Sequence, residues 1–372
     1  MIKKRVGIDG HMIGDRSGGN ESYYKNILQN MDFSGTNIHP ILFLRNGVDD
    51  SLYNETFEII RFESENAFVR NFIELPRLCK KYKLSLLHTQ YFIPFVRTCP
   101  VVCTIHDICF EHFKDIFTKK EYYRQKVLIP YAAKKSVAIF TVSNHAKKDI
   151  QERYHIAESK IHVTYNAVNS SFRKLNEVEL NEIELREKYQ IGNKPFLLCV
   201  GNLQPRKNLP RLIRAYKEYS KSTNEHSKLV IVGKKAWMFN DVIKEAVEGT
   251  DDIVLTDYVS DIDLVRLYNA AHAFIYPSYY EGFGIPPLEA LACGTPVAVA
   301  NSTSLPEVVG SAGIYFDPFM ENDIRNAIDI IMNNNDARQN CINISSERVN
   351  YFSWKKSADI IISTYQEIIM KK

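Results

Sequence analysis

Short apolar runs alternate with segments of helical periodicity along nearly the whole chain. The runs at 5–9, 40–44, 58–62, 86–90, 101–105, 139–142 and 161–165 are almost continuously apolar, as expected of strands covered on both faces in a parallel sheet. A polar, acidic stretch at 170–193 breaks the rhythm and reads as a linker carrying one helix. The rhythm then restarts with runs at 196–200, 229–232, 253–255, 273–276, 297–300 and 313–315. This pattern predicts an α/β protein with two doubly wound, Rossmann-like sheets. Near the end, Trp354, Ala358, Ile361, Ile362, Tyr365, Ile368 and Ile369 recur at helical spacing behind Ser353, a good N-cap, so an amphipathic helix closes the chain. The expected division is a first domain over 1–172 joined by the helix at 354–372, a linker over 173–193 and a second domain over 194–353.

A length of 372 residues exceeds one ordinary core and suits two α/β domains. With 45% hydrophobic and 24% charged residues the composition is that of a soluble globular protein. No apolar run approaches the ~20 residues of a membrane-spanning helix. The opening Met1-Ile2-Lys3-Lys4-Arg5 leads into Val6-Gly7-Ile8 and Asp9, a first strand and not a signal peptide, so a cytoplasmic protein is expected. A net charge of +3, from 47 basic and 44 acidic residues, gives no reason to expect nucleic-acid binding. The seven cysteines, an odd number without a CxxC pair or zinc spacing, read as buried reduced thiols.

Open parallel sheets bind ligands beyond the carboxyl ends of their strands, which directs attention to four loops. After the first strand, residues 10–20 include Gly18-Gly19 ahead of a helical pattern from Glu21, where backbone N–H groups can meet a phosphate. The spacing is not GxGxxG, which disfavours a nicotinamide cofactor. The run at 101–105 ends in His106, which reads either as a structural histidine or, from its place at the carboxyl edge of the sheet, as a group that meets a sugar hydroxyl or a developing positive charge. The run at 196–200 leads through GNLQPRKNLP to a helix; Asn208 is expected to cap it and Pro210 to sit in its first turn. Arg206 and Lys207 then lie at the positive end of a helix dipole, an arrangement that calls for an anion such as a diphosphate. After 273–276 comes PSYYEGFGIPPLEALACGTP, where Pro286 and Pro287 set the helix start, leaving Glu281 in the loop and Glu289 in the first turn. Gly282 and Gly284 allow close approach of the backbone to a ligand, and the two carboxylates suit sugar and ribose hydroxyls. Asp261-Ile262-Asp263 has a spacing used elsewhere for divalent metals, but here it opens a predicted helix, where Asp is favoured by capping and by the dipole.

Taken together, these segments resemble glycosyltransferase family 4, whose paired carboxylates stand in an E-x7-E pattern, here EGFGIPPLE from Glu281 to Glu289. The resemblance extends to Gly18-Gly19, His106, Ser143 in TVSNHAKKDI, Asn166 in VTYNAVN, GNLQPRKN and ALACGTPV. It implies a GT-B fold and a retaining transferase that needs no metal or other cofactor and uses a nucleotide diphosphate sugar as co-substrate. The second domain would hold that donor and the first a glycan or lipid-linked acceptor. By the same resemblance Arg206 and Lys207 bind the diphosphate, Glu289 the ribose, and Tyr258-Val259 the base. Glu281, with the backbone of Gly282, Phe283, Gly284 and Ile285, holds the transferred sugar and phosphate, beside Gly18-Gly19 and with His106 near the reacting carbon. Ala167 and Asp257 stand where the family often has glycine. The overall resemblance favours mannose and a role in surface polysaccharide assembly.

The segment 68–83 interleaves Phe68, Val69, Phe72, Ile73, Leu75 and Leu78 with Arg70, Arg77, Lys80, Lys81 and Lys83, broken by Pro76. It reads either as a core-packed helix with a solvated basic face or as a peripheral contact with an anionic membrane. Two other functional readings stay open on sequence grounds: a nucleotide-sugar 2-epimerase and a non-catalytic sugar-nucleotide-binding protein.

Overall fold

The computed structural model describes residues 3–14, 18–223, 227–233 and 250–371. The chain forms two compact units, one of Met1–Asn166 with Ser353–Lys372 and one of Ala167–Phe352.

The first unit carries a seven-stranded parallel sheet: β1 (Lys4–Asp9), β2 (Ile38–Leu44), β3 (Glu58–Arg61), β4 (Leu86–Gln90), β5 (Val101–Thr104), β6 (Ala138–Thr141) and β7 (Ile161–Val163), in the order β3-β2-β1-β4-β5-β6-β7. The second carries six: β8 (Phe196–Val200), β9 (Lys228–Val232), β10 (Ile253–Leu255), β11 (Ala273–Tyr276), β12 (Val297–Ala300) and β13 (Gly313–Phe316), ordered β10-β9-β8-β11-β12-β13. Every apolar run expected to be a strand is one. The strand order reverses between β1 and β4 in one sheet and between β8 and β11 in the other. A crevice opens at such a reversal, because the connections leave it in opposite directions.

The closing helix, Trp354–Met370, belongs to the first unit and buries Trp354, Ala358, Ile361, Ile362 and Tyr365. Ser353 caps it by accepting from the Lys356 N–H at 3.4 Å, and Tyr365 OH meets His88 Nδ1 on β4 at 2.5 Å. The segment expected as a linker carries two short helices, Glu177–Leu180 and Glu182–Lys188, and lies within the second unit. Lys188 and Tyr189 both reach Asp263, at 2.6 and 2.7 Å. All seven cysteines are buried and unbridged.

The segment 68–83 is not one amphipathic helix. It comprises a helical turn at Ala67–Val69, a π-helical turn at Arg70–Glu74 and a helix at Leu75–Lys81 that admits Pro76 in its first turn. Arg70 leaves the basic face and is buried, whereas Arg77, Lys80, Lys81 and Lys83 are exposed, as are Phe68 and Ile73. Among the described residues no helix is long and apolar enough to cross a membrane.

Candidate active site

The strand reversal of the second sheet is where most of the expected site residues meet. β8 ends at Val200, and the chain passes through a 3-10 turn, Pro205–Lys207, before the helix Leu209–Ser222. Asn208 holds the N-cap position with φ 58° but caps nothing, contrary to expectation. Its amide donates instead to the carbonyls of Pro277 at 3.2 Å and Pro318 at 2.6 Å, tying this turn to the loop after β11.

Glu281 is buried in that loop. Its carboxylate accepts from Lys207 Nζ at 2.7 Å, Ser278 Oγ at 2.7 Å and Tyr276 OH at 3.0 Å, and pairs with Arg206 at 2.7 Å. Burial alone would favour the neutral acid, but Arg206 and Lys207 outweigh it and hold the carboxyl down at about 2. The same burial pushes the Lys207 ammonium down to about 8, against the pull of Glu281. Lys207 also donates to Tyr276 OH and lies 4.6 Å from the centre of that ring. The anion expected to offset the two cations is thus first of all the protein's own Glu281. Two of the three ammonium protons of Lys207 are engaged, at Glu281 and Tyr276.

Glu289 sits apart from this cluster. The helix begins at Ile285, so Pro286 and Pro287 fall at its second and third positions and Glu289 at its fifth, at the start of the second turn and not in the first as expected. It accepts from Tyr268 OH at 3.0 Å. Burial pushes its carboxyl up to about 7, with Asp261 adding to the rise. Gly284 stands at the N-cap with φ 100°, and a Cβ there would come within 2.5 Å of Leu305 Cδ2, so the position suits glycine. Thr303 and Ser304, after β12, brace the loop: Thr303 Oγ1 accepts from the Glu281 N–H at 3.0 Å, and Ser304 Oγ donates to the carbonyls of Glu281 and Phe283 at 3.0 and 2.7 Å. Phe283 turns its own ring into the core, 5.3 Å from Phe352. Beyond β10, Tyr258 is exposed and Val259 buried. Asp263 is capped by Ser260 and paired with Lys188, as befits a helix start.

In the first unit, His106 follows β5, buried, with Tyr23 at 4.7 Å edge-on and its Nε2 accepting from the Gln90 amide. Burial pushes its pKa down to about 3, so the imidazole is neutral. Gly18, with φ 68°, precedes the helix Gly19–Gln29, which starts two residues before the expected Glu21. Among the described residues nothing lies within 4 Å of the side-chain position at Gly18 or Gly19. Residues 15–17 of this loop lie outside the described residues. Ser143, part of the resemblance, caps the helix Asn144–Tyr154 by accepting from the Ala146 N–H at 3.0 Å.

Residues 17–172 match the description Glycosyltransferase Family 4 and residues 181–348 match Glycosyl transferases group 1. The chain is 33% identical over 297 residues to the O-antigen chain mannosyltransferase B of Escherichia coli, covering 77% of this chain and 75% of that one. The chain belongs to glycosyltransferase family 4. It is also 27% identical over 273 residues, 72% of its length, to the serotype-specific mannosyltransferase WbdA of Escherichia coli, of which it spans 33%. The glycosyltransferase from Rickettsia africae superposes with a TM-score of 0.74 at 21% identity, covering all of both chains. The fold is GT-B, and the protein is a glycosyltransferase.

Within this family the two glycine replacements acquire a physical reading. Asp257 adopts φ 57°, the left-handed conformation a glycine would take and one that Asp tolerates better than most residues. Ala167 is not among the described residues with positive φ. Sequence reasoning missed Tyr276, Ser278, Thr303, Ser304 and Tyr268, which orient the carboxylates. The available signal was position: Tyr276 ends a strand at the carboxyl edge, and Ser278 stands three residues before Glu281.

Proposed function

We propose that this glycosyltransferase moves a hexose, with mannose favoured, from a nucleotide diphosphate sugar to a hydroxyl of a glycan or lipid-linked acceptor, with retention of configuration, in surface polysaccharide synthesis. The observation that carries the reading is the Arg206–Lys207–Glu281 cluster at the strand reversal of the second sheet. The mannosyltransferase names of its relatives support the sugar. Breaking the bond from the anomeric carbon to the diphosphate builds negative charge on the leaving oxygen. Arg206 and Lys207 offset it, while Glu281 keeps both cations in place and protonated. The backbone at Gly282, Phe283, Gly284 and Ile285 holds phosphate and sugar; Glu289 takes the ribose diol and Tyr258 with Val259 the base. His106, being neutral, would not repel a developing positive charge. The acceptor oxygen bonds to the anomeric carbon on the face the diphosphate leaves, and its proton passes to a diphosphate oxygen. This chemistry draws its positive charge from side chains and needs no divalent metal, so EDTA is expected to leave transfer unchanged.

Exposed Phe68 and Ile73 beside Arg77, Lys80 and Lys81 would give the first unit a peripheral contact with an anionic leaflet on the cytoplasmic side. Flotation with anionic vesicles at low salt checks this contact.

The decisive experiment is a thermal-shift screen with GDP, UDP, dTDP and ADP on the wild type, Arg206→Ala and Glu289→Ala. One nucleotide is expected to raise the wild-type Tm, and both substitutions to abolish the rise. No response to any nucleotide would defeat the donor reading. Conversion of the donor sugar without any acceptor would favour an epimerase.

A further inference from the structure

The first unit holds a buried cation that has no hydrogen bond among the described residues and that acts electrostatically on Asp9 at the end of β1. Arg70 is 5% exposed, and among the described residues its guanidinium has no ion pair or hydrogen-bonded acceptor; it only lies 5.7 Å over the Phe62 ring. Buried arginines ordinarily meet a carboxylate, because an unpaired guanidinium loses its hydration with nothing in return. The nearest compensation is electrostatic, from Asp9 at the end of β1, but the Asp9 oxygens are taken by the His11 N–H at 3.1 Å and by His11 Nδ1 at 2.9 Å.

In the same unit, and among the described residues, Asn71 Oδ1, Tyr24 OH and Gln90 Oε1 are each buried without a partner. Asn71 adjoins Arg70 in the π-helical turn Arg70–Glu74, a local widening that turns both residues off the solvent face and that recurs at functional sites. Glu74 clamps the turn by accepting from the N–H groups of Glu63 at 2.6 Å and Ser64 at 3.1 Å. Tyr24 interacts electrostatically with Asp9, and Gln90 ends β4, the strand beside β1, where its amide also meets His106.

One cation, one anion and several neutral donors and acceptors do not make an anion site. Their charges balance, and their hydrogen-bonding capacity is mixed, which suits a neutral polyhydroxylated ring. We infer that Arg70 and Asn71 bind the terminal sugar of the acceptor at the carboxyl edge of β1 and β4, and so determine acceptor specificity. The inference rests on the transferase reading of the protein but not on the identity of its donor.

The test uses the full-length protein with methyl α-mannoside and an α-linked mannobiose as probes. Saturation-transfer NMR without donor is expected to show contact with the wild type and to lose it in Arg70→Met and Asn71→Ala. In transfer assays the KM for mannobiose is expected to rise by about tenfold or more, the loss of one to two sugar hydrogen bonds, while GDP thermal shifts stay at wild-type size. A stability readout separates binding from scaffolding: Arg70→Met removes an unpaired buried charge, so its Tm is expected to equal or exceed that of the wild type. Mannobiose contact and KM unchanged in both variants would overturn the inference, as would a Tm loss in Arg70→Met that accounts for the lost transfer, or a preference of the wild type for inorganic phosphate over the mannosides. Absent nucleotide shifts with intact, Arg70-dependent mannobiose contact would instead sink the donor reading and leave this one standing.

Discussion

Glu289 and Lys207 are poised on opposite sides of neutrality for one shared reason, burial, acting on groups of opposite charge. The Glu289 carboxyl is pushed up to about 7 and the Lys207 ammonium down to about 8. In the proposed donor complex the ribose diol needs the Glu289 carboxylate and the diphosphate needs the Lys207 ammonium. Nucleotide affinity is therefore expected to be bell-shaped, greatest between those two values, falling about tenfold per pH unit on either flank. Titration calorimetry across that range checks it, and Glu289→Gln is expected to remove the acid limb alone. The stability sign is separate. A raised carboxyl pKa means that ionising Glu289 costs the folded state: the penalty is absent below about 4.5, grows as pH rises, and is complete above about 7. Glu289→Gln is thus expected to raise Tm at pH 8 and not at pH 4. Glu281 behaves oppositely, its stabilisation being present above about 4.5 and lost as pH falls towards about 2. Glu281→Gln would leave the buried Lys207 and the half-buried Arg206 without their carboxylate and cost about 3 kcal/mol or more, read by urea denaturation at pH 7.

The loop from Glu281 to Gly284 owes its shape to neighbours as much as to itself. Gly284→Ala forces a side chain into the left-handed region against Leu305, and is expected to cost about 1–3 kcal/mol and to weaken nucleotide binding beyond that loss. Ser304→Ala, which frees the Glu281 and Phe283 carbonyls, should weaken binding while costing only about 1 kcal/mol. Equal nucleotide thermal shifts in both variants and the wild type would show that the loop does not hold the donor. Such elements also mark how far the sequence is legible. The strands were readable because a parallel sheet buries both faces and leaves continuous apolar runs such as FLLCV and AFIY. The helix at Ile285–Ala292 was readable, but its start was not: two prolines are compatible with several first-turn positions, so Glu289 was placed in the first turn when it falls just beyond it. Asn208 looked like a cap because its residue type caps well, yet the amide found better acceptors in two carbonyls distant in sequence. The π-helical turn at Arg70–Glu74 has no periodic signature, and for that reason Arg70 read as part of a solvated basic face. Pairings between loops, such as Glu281 with Arg206 and Lys207, depend on sheet order, which local pattern does not encode.

At the scale of the whole molecule, the two units are built differently along the chain. The second is continuous in sequence, whereas the first is completed by a helix some two hundred residues away, at Trp354–Met370. That helix buries Trp354, Ile361, Ile362 and Tyr365 in the first unit, at about 1.5–3 kcal/mol per side chain, a sum comparable with the 5–15 kcal/mol that separates a folded domain from its unfolded state. Tyr365 further meets His88, which in turn meets Thr104 Oγ1 at 2.7 Å, so the helix ties into the two strands, β4 and β5, that carry Gln90 and precede His106. A chain ending at Ser353 is therefore expected to lose order selectively in residues 1–166. Hydrogen exchange on the truncated chain should show β4 and β5 exchanging faster by orders of magnitude, with β8, β11 and β12 near their wild-type protection. Because the proposed donor cluster lies wholly in the second unit, the same truncated chain is expected to keep its nucleotide thermal shift while transfer to acceptor disappears. Equal loss of protection in both sheets would mean instead that the units fold as one cooperative body and that the closing helix supports the donor cluster as well.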